Sequence, residues 1–243
     1  MKKEIFQEIC SQVFSTLEIK EQLTIYLEGE SSQYFRFNDS KLRQSGIIED
    51  YAVTLSLFSG KKSLQAATTV SSDIKSSVNN LRNEINALRD LLSLLPENEF
   101  ISFPDSFESV EMIKTGKLPD RNEILEALMN VITKDYLTGV WTSGKIFRGC
   151  STSEGTNHWF EKDSFIFDFS LIDEKENMVK VLFPGSSWDK DKFDAAFEEA
   201  SNKLKIMNKP KMELKPGIYR VWFEPNAVAD FVDMFNWNGV SES

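Results

Sequence analysis

The sequence predicts an α+β fold in which antiparallel sheets are covered by helices, and three features predict it. Short runs alternate apolar and polar residues between turn signals, as half-buried strands do. Other stretches repeat apolar residues every three or four positions, as one face of a helix does. The chain order opens helix, strands, helix, which suits a two-layer α+β module.

The first helix rests on Phe6, Ile9, Cys10, Val13 and Leu17, all on one face. In Gln22–Glu28, Leu23, Ile25 and Leu27 alternate with Thr24 and Tyr26, and Gln33–Phe37 repeats the pattern with Phe35 and Phe37. Tyr51, Val53, Leu55 and Leu57 mark a third strand, and Ser59-Gly60 turns the chain into a fourth at Ser63–Val70. Ile74, Val78, Leu81, Ile85, Leu88, Leu92 and Leu95 then step by four and three until Pro96. That stripe either packs on its own sheet or pairs with a partner subunit.

Residues 97–119 are rich in Pro, Ser, Glu and Asp and read as a linker. Asp120 is a helix N-cap with Glu123 three residues on, ahead of Ile124, Leu125, Leu128, Val131 and Ile132. Strands follow at Leu137–Thr142, Lys145–Cys150, Ser164–Leu171 and Met178–Phe183, then a helix over Asp189–Met207. Gly217–Phe223 reads as a strand, and Pro225 sits at the first position of a helix carrying Val228, Phe231, Val232 and Phe235. The expected organisation is an N-terminal α+β module over 1–96, a linker over 97–119, and a second strand-rich α+β module over 120–213. Residues 214–243 look like the start of a truncated C-terminal domain, an incomplete layer with uncovered apolar faces.

Composition narrows the function. Hydrophobic residues at 41% and charged residues at 27% are ordinary for a globular chain and argue against overall disorder. A net charge of −10 opposes a phosphate backbone, so direct nucleic-acid binding is not expected. No apolar run reaches the length of a membrane span, and the start has no signal-peptide core, so the expected location is the cytoplasm. Cys10 and Cys150 are the only cysteines, a count that fits a reducing compartment.

His158 is the only histidine. A His-Glu-x-x-His zinc helix needs two imidazoles on adjacent turns, so that chemistry is excluded, and two distant cysteines cannot replace it. There is no Gly-x-Ser-x-Gly elbow and no glycine-rich phosphate loop. Asp105, Glu108 and Glu111, or Glu198 and Glu199, read as solvated faces. The segment Gly155–Asp168 concentrates unusual residues. On one reading His158, Trp159, Glu161 and Asp163 line a groove. On the other, Trp159 and Phe165 are core and His158 is a hydrogen-bonded structural residue.

Several stretches together resemble the TldD/PmbA family, historically called modulators of DNA gyrase and regarded as metallopeptidase-related. They are Gln22–Glu28 with Arg43-Gln44, Tyr51–Phe58, Gly139-Val140-Trp141-Thr142-Ser143-Gly144 with Phe147-Arg148-Gly149, His158-Trp159-Phe160-Glu161 with Ser164-Phe165, and Leu214–Val221 with Phe223 and Pro225. The resemblance runs in order through essentially the whole chain. It implies one of a pair of related cytoplasmic subunits that cleave flexible peptides and act in proteolysis and peptide maturation. One subunit of such a pair carries a His-Glu-x-x-x-His zinc helix. The matching stretch here, Asn226–Phe235, holds no histidine and no glutamate, so the chain is similar to the zinc-free PmbA/TldE-like subunit. The resemblance then implies no catalytic residue, no metal residue and no cofactor in this chain, with zinc only in a TldD-like partner. The expected partners are that zinc-bearing subunit, or a second copy by self-association, and a flexible peptide substrate. Trp141, Arg148, His158 and Glu161 are the candidate peptide-groove residues. The family's proteins continue well past this point, which suggests a fragment or a shortened protein. The alternative expectation is a non-enzymatic regulatory or binding module, such as a modulator of DNA gyrase.

Overall fold

The computed structural model describes residues 1–103, 108–132 and 136–239. Asp105 of the predicted solvated face, residues 104–107 of the predicted linker, 133–135 of the second module and 240–243 of the last segment lie outside the described residues. The chain forms two compact units, Met1–Asn208 and Lys209–Ser243.

The first unit runs α1 (Lys3–Phe14), β1 (Glu21–Asn38), β2 (Lys41–Ser59), β3 (Lys62–Thr69), α2 (Ile74–Leu94), β4 (Glu111–Lys114), α3 (Arg121–Ile132), β5 (Tyr136–Thr152), β6 (Asn157–Ile172), β7 (Met178–Gly185) and α4 (Lys190–Met207). The strands form one open sheet in the order β3-β2-β1-β5-β6-β4, with β7 also on β6. All pairs are antiparallel except β4 on β6. The antiparallel α+β expectation therefore holds. The sheet is continuous across the sequence boundary at 97–119, because Thr24–Phe37 of β1 pairs with Gly139–Thr152 of β5.

Four predicted strands prove to be two long ones. Gly29 and Gly144 fall in the gaps between the expected strands, yet both stand inside strands. A side-chain carbon on Gly144 would lie 2.3 Å from the Ser31 carbonyl oxygen, and one on Gly29 would lie 2.6 Å from the Tyr51 ring. These glycines let neighbours approach closely; they do not turn the chain. Gly144→Ala is expected to cost about 2–3 kcal/mol as an overpacking defect, measured as a lower urea midpoint. A change within 0.5 kcal/mol would mean that the strands can spread without penalty. True turns stand elsewhere. Asp39 and Ser40, at φ 53° and 55°, join β1 to β2, and Gly60, at φ 60°, joins β2 to β3.

The register puts the odd-numbered residues of β1, β5 and β6, and of β2 from Ser45 onward, on one face, and the four helices of this unit pack there as two pairs. Helices α1 and α2 cover one end, burying Phe6, Ile9, Val13, Val78, Leu81, Ile85 and Leu88 against Leu23, Ile25, Leu27, Val53 and Leu55. Of the two readings of the 74–95 stripe, packing on its own sheet is the one adopted. Helices α3 and α4 cover the other end, where Ile124, Leu128, Phe193 and Phe197 meet Phe35, Phe37, Trp141, Phe167 and Phe169. The helix starts follow capping chemistry. Asp120 accepts the N–H of Asn122 and Glu123 at 2.8 Å each, and Asp73 and Asp189 cap α2 and α4 in the same way.

Strand β4 lies inside the predicted linker. Its four exposed residues carry no alternation, and the strand exists only because β6 offers a free edge. In the second unit, Gly217–Phe223 is not a strand, which corrects the expectation: it has no ladder neighbour among the described residues, and a lone strand leaves its amides unpaired. Helix α5 (Pro225–Met234) forms with Pro225 at its start, as expected, and buries none of its residues. Phe223 packs edge-on against Phe231, with centroids 5.1 Å apart. No helix among the described residues is long and apolar enough to cross a membrane.

Candidate functional site

Between the two helix pairs a groove of about 700 Å³ opens on the covered face, above the buried Tyr51, Phe147 and Trp159. Its floor comes from mid-strand odd positions: Phe147 and Lys145 of β5, and Trp159, Glu161 and Asp163 of β6. Tyr51 of β2, the start of α1, and Glu111 and Ile113 of β4 form its sides. The aromatic floor is continuous, with Tyr51 6.1 Å from Phe147 and Phe147 5.9 Å from Trp159 between ring centroids. Burial pushes the Tyr51 phenol up from its ordinary value.

The polar end of the groove is an ion-pair triad. Lys145 Nζ donates to Glu161 Oε1 and stands 3.3 Å from Asp163 Oδ1. The hydrogen bond to Glu161 holds the Lys145 ammonium above the ordinary lysine value, with the Asp163 charge adding to it. Asp163 also accepts the Gly116 N–H at 3.1 Å, which ties the chain beyond β4 to the same strand. Lys3 and Glu111 pair at the rim. These groups suit contact with an extended polar chain. No cluster of three or more metal-ligating side chains occurs among the described residues.

The four sequence candidates do not meet in one groove. Glu161 lies in it. Trp141 is fully buried in the second core, stacked on Phe165 at 4.9 Å. Arg148 and His158, at even positions, project from the opposite face of the sheet. Arg148 pairs with Glu28 at 3.3 Å, and His158 Nδ1 accepts the Val110 N–H at 3.2 Å. Trp159 and Phe165 are buried, so this segment follows the structural reading, with Glu161 and Asp163 as the exceptions. Lys145, Phe147 and Tyr51 were missed. Strand parity was the available signal, since Lys145 and Phe147 share one face, as Trp159, Glu161 and Asp163 share another strand's. Burial pushes the Cys10 thiol up to about 12, and both cysteines are free.

No protein-family model matches the chain, and no curated protein sequence matches it. Solved structures do. A proposed modulator of DNA gyrase from Thermotoga maritima is 12% identical with a TM-score of 0.57, over 81% of this chain and 48% of that one. TldE from Thermococcus kodakarensis is 11% identical with a TM-score of 0.55, over 83% of this chain and 47% of that one. A second proposed modulator of DNA gyrase, from Bacteroides thetaiotaomicron, is 14% identical with a TM-score of 0.55, over 84% and 49%. The chain thus has the fold found in TldE and in the gyrase-modulator structures, and it spans about half the length of each. The sequence resemblance to the TldD/PmbA family points to the same group of proteins.

Proposed function

We propose that this chain is a PmbA/TldE-like, non-catalytic subunit of a cytoplasmic TldD-type metallopeptidase, contributing walls of a chamber that accepts flexible peptides. One observation carries the reading: helix α5 begins at Pro225, where the resemblance expects the zinc helix, and presents Asn226, Asp230 and Asp233 but no histidine or glutamate. The fold shared with TldE supports it. Zinc belongs to the partner subunit on this reading. Within this chain, the groove that lies over the buried Phe147 and Trp159 and presents Lys145, Glu161 and Asp163 is the part assigned to peptide contact, through hydrogen bonds and charge contacts to an extended polar chain.

The test compares the chain alone, a zinc-bearing relative alone, and the two together, on unfolded casein. The chain alone is expected to retain no stoichiometric zinc after dialysis against a mild chelator and to hydrolyse nothing; the mixture is expected to cleave. One tightly held zinc per isolated chain, or cleavage by it, overturns the proposal. Two of the solved neighbours are described as modulators of DNA gyrase, which favours a second reading as a regulatory binding module. Inhibition of gyrase supercoiling by the chain, with no gain of peptidase activity in any mixture, would select that reading.

A further inference from the structure

The β1–β2 hairpin reaches beyond β3, which pairs only with Ala52–Ser59 of β2. The rest of β2, from Lys41 to Asp50, is an open edge of the sheet. Its hydrogen-bonding direction is fixed by the ladder beside it: the Tyr51 carbonyl accepts the Val70 N–H at 2.9 Å, on the side away from β1. In an antiparallel strand each residue turns both backbone groups to one side, alternating along the chain. Ser45, Ile47 and Glu49 therefore aim their N–H and C=O groups outward, and these find no partner among the described residues.

Such an edge is ordinarily shielded, because it templates pairing with another strand. This one exposes Ile47 by 74% and Leu42 by 42% and has no proline over Ser45–Glu49; the Arg121 guanidinium at the start of α3 reaches only the Ser45 hydroxyl, at 3.4 Å, and leaves the backbone groups open among the described residues. Its charges are segregated. Lys41 and Arg43 stand at one end, Glu49 and Asp50 at the other, all four exposed and none in an ion pair among the described residues. Among the described residues the Arg43 side chain makes one hydrogen bond, donating to the Asn38 carbonyl at 3.3 Å.

A strand that is basic at one end and acidic at the other matches itself when turned antiparallel. We infer that the Lys41–Asp50 edge pairs with the same edge of a second copy of this chain about a two-fold axis, continuing the sheet from one molecule into the next. The Lys41/Arg43 end of one copy then meets the Glu49/Asp50 end of the other, twice per dimer, as a closed isologous contact requires. With Arg43 opposite Glu49, Ser45 of each copy stands opposite Ile47 of the other in the new ladder, and the two exposed isoleucines are diagonal neighbours across it. An unrelated peptide would satisfy the amides, but it would not call for this reversal of charge along the edge.

The experiment uses the full chain and two variants, Lys41→Glu with Arg43→Glu, and Glu49→Lys with Asp50→Lys. Mass is read by light scattering, and amide exchange over Ser45–Glu49 is followed as concentration rises. The wild-type chain is expected to double its mass and protect those amides. Each variant alone is expected to remain a monomer where the wild type is a dimer, a weakening of at least about tenfold. An equal mixture of the two is expected to recover the dimer, because each reversed end then faces its complement; that recovery also shows both variants are folded. The inference is overturned if the wild type is a monomer, if either variant dimerises as well as the wild type, or if the mixture stays monomeric. It is equally overturned if these amides become protected only on adding unfolded casein, which would assign the edge to peptide.

Discussion

Trp141→Ala is expected to lower the unfolding free energy of the first unit by about 3–5 kcal/mol. Trp141 is fully buried, stacked on Phe165, and edge-on to Trp188 at 5.5 Å and to Phe167 at 6.1 Å between centroids. Its indole N–H makes no hydrogen bond among the described residues, so packing alone carries the loss. Trp141→Phe keeps most of the ring and removes that unpaired donor, so it should cost less than half as much. Because one sheet passes under both helix pairs, the α1/α2 core should unfold with the α3/α4 core in a single transition. Urea unfolding followed by far-ultraviolet circular dichroism is the check. A midpoint that hardly moves would show that the aromatic cluster is loosely packed. A second transition appearing only in the variant would show that the cores unfold separately.

Local patterns were readable wherever one face of an element is buried by its own module. The α2 stripe, the Tyr51–Leu57 alternation, the Asp120 cap and Pro225 at a helix start all follow from side chains whose partners lie near in sequence. Pairing between distant strands was not readable. Nothing local says that β1 lies beside β5, so neither the single sheet nor the opening between the helix pairs on its covered face could be foreseen. Strand β4 has no pattern of its own to read. Part of the groove is legible in the sequence through strand parity. His158 and Glu161 are three residues apart on one strand, so they had to point to opposite faces, and the same parity separates Arg148 from Lys145. Trp141 stood out because tryptophan is conspicuous, but its size is used in the core, not in a groove. Glu161 was found and its partner Lys145 missed, because the pair forms across strands that only the register brings together.

Arg89→Met is expected to cost about 2–3 kcal/mol near neutral pH, and most of that loss should vanish in acid. Arg89 of α2 grips Glu21 at the start of β1 with two bonds of 2.8 Å, from Nε and from Nη2. Nη2 also donates to the Thr16 carbonyl at 2.9 Å, and Nη1 donates to Asn86 Oδ1 at 2.8 Å. The side chains are 20% and 8% exposed, so solvent screens the pair only weakly. It is the bond that fastens helix α2 to the turn leading from α1 into the sheet. The Arg89 hydrogen bond holds the Glu21 carboxyl below its ordinary value of 4.5, against the opposing effect of burial. A carboxyl depressed by folding contributes stability that is full above its unfolded pKa and is lost as pH falls through the folded one. The gap between wild type and Arg89→Met should thus be widest at pH 6–8, then narrow steadily below about pH 4.5 as Glu21 protonates in both proteins. Removing the arginine also strands a carboxylate that burial disfavours, so Arg89→Met with Glu21→Gln should cost less than Arg89→Met alone. Urea midpoints of wild type, Arg89→Met, Glu21→Gln and the double variant at pH 7 and at pH 3.5 give the full comparison. A gap of equal size at both values would mean that Arg89 stabilises the fold through its aliphatic packing and not through the charge it neutralises.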